Sequence, residues 1–170
     1  SEAYTLDIAP DHIQIGSSTC GGVFNGLQQL FRLLPPEVYA RRGIAPGTGI
    51  ACVRIEDKPR FGYRGMMLDV ARTWIGMDEV KRYINLFSYH NINKLHLHLS
   101  DDEGWRIEIL SHPELTEIGG FRGGDSPVRP VYGKWSEKYG GYFKQSEMRE
   151  LIRYAALRNI EIIPEIDLPG

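Results

Sequence analysis

The sequence has little cysteine, no long apolar run and no cluster of charge of one sign. Its two cysteines in 170 residues are too few for a disulfide framework. No apolar run approaches the roughly 20 residues that span a bilayer. The net charge is −2 and there is no basic block. We therefore expect neither a membrane span nor nucleic acid as a partner.

Two smaller absences concern the cysteines and the amino terminus. Cys20 and Cys52 have no cysteine or histidine close by in the sequence, so we predict isolated small core residues rather than metal ligands. Ser1–Tyr4 has neither the basic nor the apolar stretch of a signal peptide, and none is predicted. A composition of 42% hydrophobic and 25% charged residues is typical of a folded globular protein.

Residues 1–57 show the pattern of a small α/β unit. Alternating apolar residues predict a strand over Glu2–Ile8 and a hairpin partner over His12–Ile15. Apolar residues at helical spacing follow and stop at Pro35–Pro36, and a strand is predicted at Ala51–Ile55. Because this unit is too small to form a full core, we interpret it as the end of a larger domain, with the boundary at residues 57 and 58.

Residues 58–170 alternate strands and helices. The predicted strands are Gly65–Ala71, Leu95–Leu99 and Ile160–Ile166, and the predicted helix caps are Asp78 and Ser146. The first strand is almost continuously apolar, so we expect it to be buried on both faces. This order indicates a parallel sheet, either doubly wound or the first part of a (β/α) barrel.

A long stretch, 111–144, shows no clear periodicity. It is rich in glycine and aromatic residues, among them Tyr132 and Trp135. Such a stretch is either a packed insertion or a binding surface, and the sequence favours neither. Its Gly123-Gly124-Asp125 tripeptide is interpreted as a turn.

Polar residues follow each of the three predicted strands. Arg72 follows the first strand, Asp101-Asp102-Glu103 the second, and Asp167 the third. The carboxyl ends of parallel strands face the ligand site in α/β folds. We therefore predict a pocket of arginine and carboxylates that is suited to binding hydroxyl groups.

Ionisable residues also lie within the predicted strands. His96 and His98 are two residues apart and face the same side, as in some metal-dependent barrel hydrolases. The alternative is that they are hydrogen-bonded core histidines, and the sequence shows no third ligand. Asp69 and Glu165 are predicted to form internal ion pairs.

Three motifs carry a resemblance to a known family. They are RGMMLDVAR at Arg64–Arg72, NKLHLHLSDDEGWR at Asn93–Arg106 and PEIDLPG at Pro164–Gly170. In sequence and spacing they resemble glycoside hydrolase family 20, the β-N-acetylhexosaminidases, and the bacterial branch in particular. The resemblance covers 59–170, and 1–56 are similar to the end of the family's N-terminal α/β domain.

The resemblance implies a (β/α)8 TIM barrel that removes terminal β-linked N-acetylglucosamine or N-acetylgalactosamine without metal or cofactor. The implied chemistry is substrate-assisted: the acetamido oxygen of the sugar attacks its own anomeric carbon. An Asp orients the acetamido group, and the adjacent Glu acts as general acid and then as base. The implied partner is a glycan that ends in an N-acetylhexosamine. An extracytoplasmic location is suggested on the same ground.

The resemblance assigns roles to four residues. Arg72 and Asp101 would bind the substrate, and Asp167 and His98 would orient the site's polar groups. The catalytic Asp-Glu pair of the family lies in a Gly-Gly-Asp-Glu motif on the fourth strand, which the 170 residues do not contain. Gly123-Gly124-Asp125 continues with serine and precedes the third strand, so it is no substitute.

The chain therefore looks like the first three strands of a barrel that needs the remainder of the barrel as its partner. We expect it to contribute substrate contacts and to be inactive when isolated. Two other functions stay open at this point: a metal-dependent barrel hydrolase built on His96 and His98, and a glycan-binding fragment without catalysis.

Overall fold

The computed structural model describes residues 2–39, 47, 49–128 and 136–168. The chain divides into two compact units, Ser1–Gly62 with Tyr89–Asn91 and Tyr63–Ser88 with Ile92–Gly170. No helix among the described residues has both the length and the hydropathy of a membrane span.

The first unit is a three-stranded antiparallel sheet with one long helix. Its elements are β1 (Tyr4–Ile8), β2 (Ile13–Gly16), α1 (Cys20–Leu33), a 3₁₀ turn (Pro36–Val38) and β3 (Val53–Asp57), and the strand order is β2-β1-β3. Tyr4, Leu6 and Ile8 alternate along the central strand and form the core. The Thr19 hydroxyl caps α1 by accepting the Gly22 N–H at 3.1 Å, and the helix ends before Pro35 as predicted.

Both cysteines differ from the prediction. Cys20 and Cys52 are free and exposed, not buried in the core. Cys20 is the first residue of α1, and Cys52 directly precedes β3. Each therefore lies at the end of an element, where the chain enters from solvent.

The second unit is built on a three-stranded parallel sheet. In chain order its elements are β4 (Gly65–Asp69), α2 (Met77–Tyr89), β5 (Lys94–His98), β6 (Ser100–Asp101), β7 (Gly104–Trp105), α3 (Glu114–Glu117), β8 (Phe121–Arg122), β9 (Tyr139–Gly140), α4 (Gln145–Ala156) and β10 (Glu161–Glu165). The main sheet has the order β4-β5-β10, so each strand lies beside the one before it. The predicted alternation of strand and helix is confirmed.

The core of this unit lies on the helix-facing side of β5. Leu95 and Leu97 are fully buried against side chains of α2 and α4, including Ile84 and Leu151. Burial of each such side chain contributes about 1.5–3 kcal/mol to folding. The alternate residues of β5, His96 and His98, face the other side of the sheet, and so the strand separates an apolar layer from a polar one.

The prediction that the first strand is buried on both faces is wrong for β4. Met66 and Met67, which lie on opposite faces, are about half exposed, at 47% and 54%. Within the described residues β4 pairs only with β5, which makes it an edge strand here. In the closed barrel predicted from the sequence, a further strand would pair with this open edge of β4.

Both predicted helix caps are displaced. α2 begins at Met77, so Asp78 lies inside the first turn, where its negative charge interacts favourably with the helix dipole. α4 begins at Gln145 after Lys144, and Ser146 lies inside the helix. Two carboxylates take the place of a serine cap: Glu147 accepts the Lys144 N–H at 2.7 Å, and Glu108 accepts the Gln145 N–H at 2.9 Å.

The stretch 111–144 is more regular than predicted, because it contains α3 and the β8–β9 hairpin. Phe121 and Tyr142 pack edge to face, with ring centroids 6.5 Å apart, and Phe143 is fully buried in the core. These contacts favour the interpretation as a packed insertion. Gly123 and Gly124 have φ values of 70° and 59°, as the predicted turn requires. Tyr132 and Trp135 lie outside the described residues.

Candidate active site

Three ionisable residues form a row across the carboxyl ends of the main strands. The register of the sheet places His98 of β5 directly between Asp69 of β4 and Glu165 of β10. Glu165 Oε2 hydrogen-bonds to His98 Nδ1 at 2.6 Å and to His96 Nε2 at 2.8 Å. The predicted pairing of Glu165 is thus with the two histidines, which share one carboxylate.

Arg72 connects two strand ends. Its guanidinium donates from Nη1 to Asp69 Oδ2 at 2.7 Å and from Nη2 to Asp101 Oδ2 at 2.5 Å. Asp69 Oδ1 also accepts the backbone N–H groups of Ala71 and Arg72, at 3.0 and 2.9 Å. The predicted ion pair of Asp69 is therefore made with Arg72. The turn that carries Arg72 and the guanidinium itself are held by the same carboxylate.

Asp101 is the residue on which the two networks meet. Its Oδ2 contacts both Arg72 and His98 Nε2, the latter at 3.0 Å, and its Oδ1 accepts the Asp102 N–H at 2.8 Å. Asp101 lies three residues after the end of β5, in the first strand of the short β6–β7 hairpin, and its carboxylate reaches back to His98. The structure thus brings Arg72, Asp101 and His98 into one continuous polar network.

The surroundings of these groups shift their pKa values in different directions. Burial alone would lower the pKa of His98, but its hydrogen bonds with Asp101 and Glu165 outweigh burial and raise it. The same contact with His98 lowers the pKa of Glu165. Burial raises the pKa of Asp69, yet hydrogen bonds from Arg72 outweigh it and the pKa is lowered. Both ring nitrogens of His98 face carboxylate oxygens, and these contacts favour its cationic form over the neutral one.

Asp167 is held at the same edge through its backbone. Its N–H donates to Ser100 Oγ at 2.8 Å, and the Ser100 hydroxyl donates to the Asp167 carbonyl at 3.3 Å. Ligand atoms of His98, Glu165 and Asp167 lie within 4.8 Å of one another, a grouping that could hold a cation. The grouping includes His98 but not His96. A histidine binds a metal as neutral imidazole, whereas the carboxylate contacts of His98 favour its charged form.

The acidic run after β5 does not act as a unit. Asp101 joins the network, Asp102 is exposed, and Glu103 turns inward to form a buried ion pair with Arg122 of β8. Sequence reasoning gave Arg122 no role, and its partner lies 19 positions earlier in the chain. The only hint was an acidic run longer than a single site requires.

Arg106 is a second residue that sequence reasoning passed over. It belongs to the motif of Asn93–Arg106 but was given no role. The structure buries it completely, and its guanidinium donates to backbone carbonyls at residues 70, 71, 103, 120 and 141. An arginine directly after a tryptophan in the sequence gives no sign of this burial.

Known proteins match this chain over nearly its full length. Residues 61–170 match the family model for the catalytic domain of glycosyl hydrolase family 20, and residues 1–58 match the model for domain 2 of that family. A β-hexosaminidase of Vibrio furnissii is 44% identical over 168 residues, which are 99% of this chain and 26% of the relative.

Solved structures give the same result. An exo-β-N-acetylglucosaminidase of Vibrio harveyi in complex with N-acetylglucosamine superposes with a TM-score of 0.90 at 43% identity, over 99% of this chain and 26% of that one. An N-acetyl-β-hexosaminidase of Streptomyces plicatus in complex with Thio-NAglucal superposes with a TM-score of 0.84 at 44% identity, over 99% and 32%. The chain thus spans between a quarter and a third of the length of these proteins. The predicted fold, the first units of a (β/α)8 barrel after a small α/β domain, is confirmed.

Proposed function

Because the chain belongs to glycosyl hydrolase family 20, we propose that it forms the part of a β-N-acetylhexosaminidase that grips the terminal sugar. The substrate class would be a glycan that ends in β-linked N-acetylglucosamine or N-acetylgalactosamine. The names of the relatives support this class, because the proteins that contain a matching region are named as hexosaminidases or N-acetylglucosaminidases.

The observation that carries the proposal is the position of Arg72. Asp69 and Asp101 hold its guanidinium from two sides, yet 45% of its side chain is exposed at the edge where the strands end. A guanidinium that is already fixed in this way loses little further conformational entropy when a ligand binds. Arg72 can donate to sugar hydroxyls while the Asp101 carboxylate accepts from them.

In the proposed mechanism the chain holds the sugar while the sugar itself supplies the nucleophile. The acetamido oxygen attacks the anomeric carbon, the glycosidic bond breaks, and an oxazolinium ion forms that water then opens with retention of configuration. Hydroxyl contacts to Arg72 and Asp101 fix the ring as the anomeric centre flattens. His98 and Asp167 orient these groups. The general acid and the residue that orients the acetamido group would come from the Asp-Glu pair of the family's motif.

Substitution of Arg72 in the complete protein tests the proposal. We expect Arg72→Ala to lower kcat/KM for a chromogenic N-acetyl-β-glucosaminide by about a hundredfold or more, because the ring loses a fixed donor. The matched control is Arg82→Ala on α2. Arg82 also pairs with a carboxylate, Glu79 at 2.9 Å, but is 76% exposed. Equal activity of the two variants would contradict the assignment of Arg72.

The proposal includes the division of labour between this chain and the remainder of the barrel. We expect the isolated 170 residues to show no hydrolase activity, because they contain no Gly-Gly-Asp-Glu motif. The measurement is an assay of mass-verified 170-residue material whose secondary structure has been checked by circular dichroism. Turnover by that material would show that acid catalysis comes from within this chain.

A further inference from the structure

Arg106 is a charged side chain in a completely buried position. It follows β7 and has no exposed surface. Burial, followed by the nearby charge of Arg122, lowers its pKa to about 10, so the guanidinium still carries its charge at neutral pH. A buried charge persists in a folded protein only where hydrogen bonds replace its lost hydration.

The hydrogen bonds of Arg106 all go to backbone carbonyls in separate segments of the chain. Nε donates to Val70 O at 3.1 Å and Ala71 O at 3.2 Å, and Nη2 donates to Ala71 O at 2.7 Å and Glu103 O at 3.2 Å. Nη1 donates to Gly120 O at 2.6 Å and Gly141 O at 3.1 Å. One planar group thus ties the end of β4 to the turn after β6 and to the insertion.

The carbonyls at residues 70 and 71 directly precede Arg72. On the other side of the same segment, Asp69 accepts the N–H groups of Ala71 and Arg72. The backbone that carries Arg72 is therefore fixed from its carbonyl side by Arg106 and from its amide side by Asp69. Arg106 does not reach the sugar-facing edge itself.

Gly104 provides the space in which the guanidinium lies. A Cβ atom built on Gly104 would come within 2.3 Å of both the central carbon and Nη2 of the Arg106 guanidinium. Real Cβ atoms do not approach other atoms this closely, so the buried guanidinium of Arg106 would have to move. The glycine and the arginine two residues later are parts of one arrangement.

We propose that Arg106 is a positioning residue for substrate binding, which sets the place of Arg72 through the carbonyls of residues 70 and 71. The inference rests on the proposed function, because it assigns a residue that supports the same sugar-binding site. Lysine cannot replace the guanidinium, since a single ammonium lacks the planar fork that spans these carbonyls.

The test is a double-mutant cycle in the complete protein, with Arg106→Lys and Arg72→Ala alone and combined. We expect Arg106→Lys to lower kcat/KM for the chromogenic N-acetyl-β-glucosaminide by about tenfold to a hundredfold, measured well below its melting temperature. In the Arg72→Ala background the same substitution should have little further effect, because the residue that it positions is gone. Gly104→Ala should reproduce the effect if Arg106→Lys does not fold.

The control variant is Leu151→Ala, which empties a fully buried position on α4 of the same unit. It should lower the melting temperature but leave kcat/KM unchanged at the assay temperature. The inference is overturned if Arg106→Lys behaves like Leu151→Ala, or if it lowers kcat/KM equally with and without Arg72.

A crystal structure of the Arg106→Lys or Gly104→Ala protein gives a readout that is independent of activity. We expect the ion pair of Arg72 with Asp101 to be broken or displaced, and an unchanged pair would overturn the inference. If the wild-type protein hydrolyses no hexosaminide, the proposed function fails, while the crystal structure still decides whether Arg106 positions Arg72.

Discussion

His98 lies between two carboxylates, and this position gives it a pH-dependent effect on stability. Its pKa is raised above the ordinary 6.5, whereas the pKa of Glu165 is lowered below 4.5. The contribution of His98 is complete below pH 6.5 and is lost as the pH rises through its raised value. That of Glu165 is complete above pH 4.5 and is lost as the pH falls through its lowered value. The pair therefore stabilises the fold most between about pH 4.5 and 6.5.

We predict that His98→Asn removes the loss of stability on the alkaline side of this window. The measurement is the urea midpoint of the complete protein from pH 5 to pH 8. In the wild type the free energy of unfolding should fall by about 1.4 kcal/mol in total for each unit by which folding raises the pKa of His98. His112→Asn is the control, since His112 is exposed and contacts Ser111. If His98→Asn and wild type lose stability in parallel above pH 6.5, the imidazolium pair does not stabilise the fold.

The position of a side chain relative to a strand end is visible in the sequence and predicts which polar residues lie at one edge of the sheet. Arg72, Asp101 and Asp167 are predicted to converge because each follows a strand. The structure joins Arg72 to Asp101 and holds Asp167 at the same edge through its backbone. Their roles toward substrate stay predictions. Arg106 was missed for a physical reason: its function is to satisfy carbonyls that are distant in sequence, and no local pattern marks a carbonyl as needing a donor.

At the scale of elements, α4 shows how a helix can begin without a capping serine. Glu147 reaches back to the Lys144 N–H, and Glu108 reaches from outside the helix to the Gln145 N–H. The negative charge of both carboxylates is also favourable at a helix N-terminus. The sequence offered Ser146 as a cap, but the chain enters the helix two residues earlier, where carboxylates from positions 108 and 147 are in reach.

We predict that Glu147→Ala lowers the free energy of unfolding by about 0.5–2 kcal/mol, the range for loss of a helix cap. The control is Glu150→Ala on the same helix. Glu150 pairs with Lys81 at 2.5 Å but its side chain is 59% exposed, so its loss should cost about 0–1 kcal/mol. Urea unfolding of both variants is the measurement, and a larger loss for Glu150→Ala would contradict the assignment. Neither variant should change kcat/KM.

The order of the elements could be predicted from the sequence, while the exposure of some of them could not. Periodicity identified the strands β4, β5 and β10 and the helices between them, because a buried strand and an amphipathic helix have different apolar spacing. Periodicity does not say which strand has a neighbour on each side. β4 is predicted to be buried on both faces, whereas Met66 and Met67 are half exposed in this sheet, where β4 has a neighbour on one side only among the described residues.

At the scale of the whole molecule, the described residues form a polar edge, and we propose that the remainder of the barrel completes the reaction. Three parallel strands bring Arg72, Asp101, His98 and Asp167 to one side, and an insertion tied down through Arg106 lies beside them. Hydrolysis needs a general acid as well, and the relatives that share this region are three to four times as long. We propose that the complete protein cleaves a terminal sugar with the help of that sugar's own acetamido group.

The most direct measurement compares two chromogenic β-glycosides with the same leaving group, one of N-acetylglucosamine and one of glucose, with the complete protein and with or without a chelator. We predict turnover of the N-acetylglucosaminide only, since glucose lacks the acetamido nucleophile, and no effect of the chelator. Equal turnover of the glucoside would contradict substrate assistance, and loss of activity with the chelator would point to a metal bound at His98. Binding of N-acetylglucosamine without any turnover would make the protein a glycan-binding module instead of an enzyme.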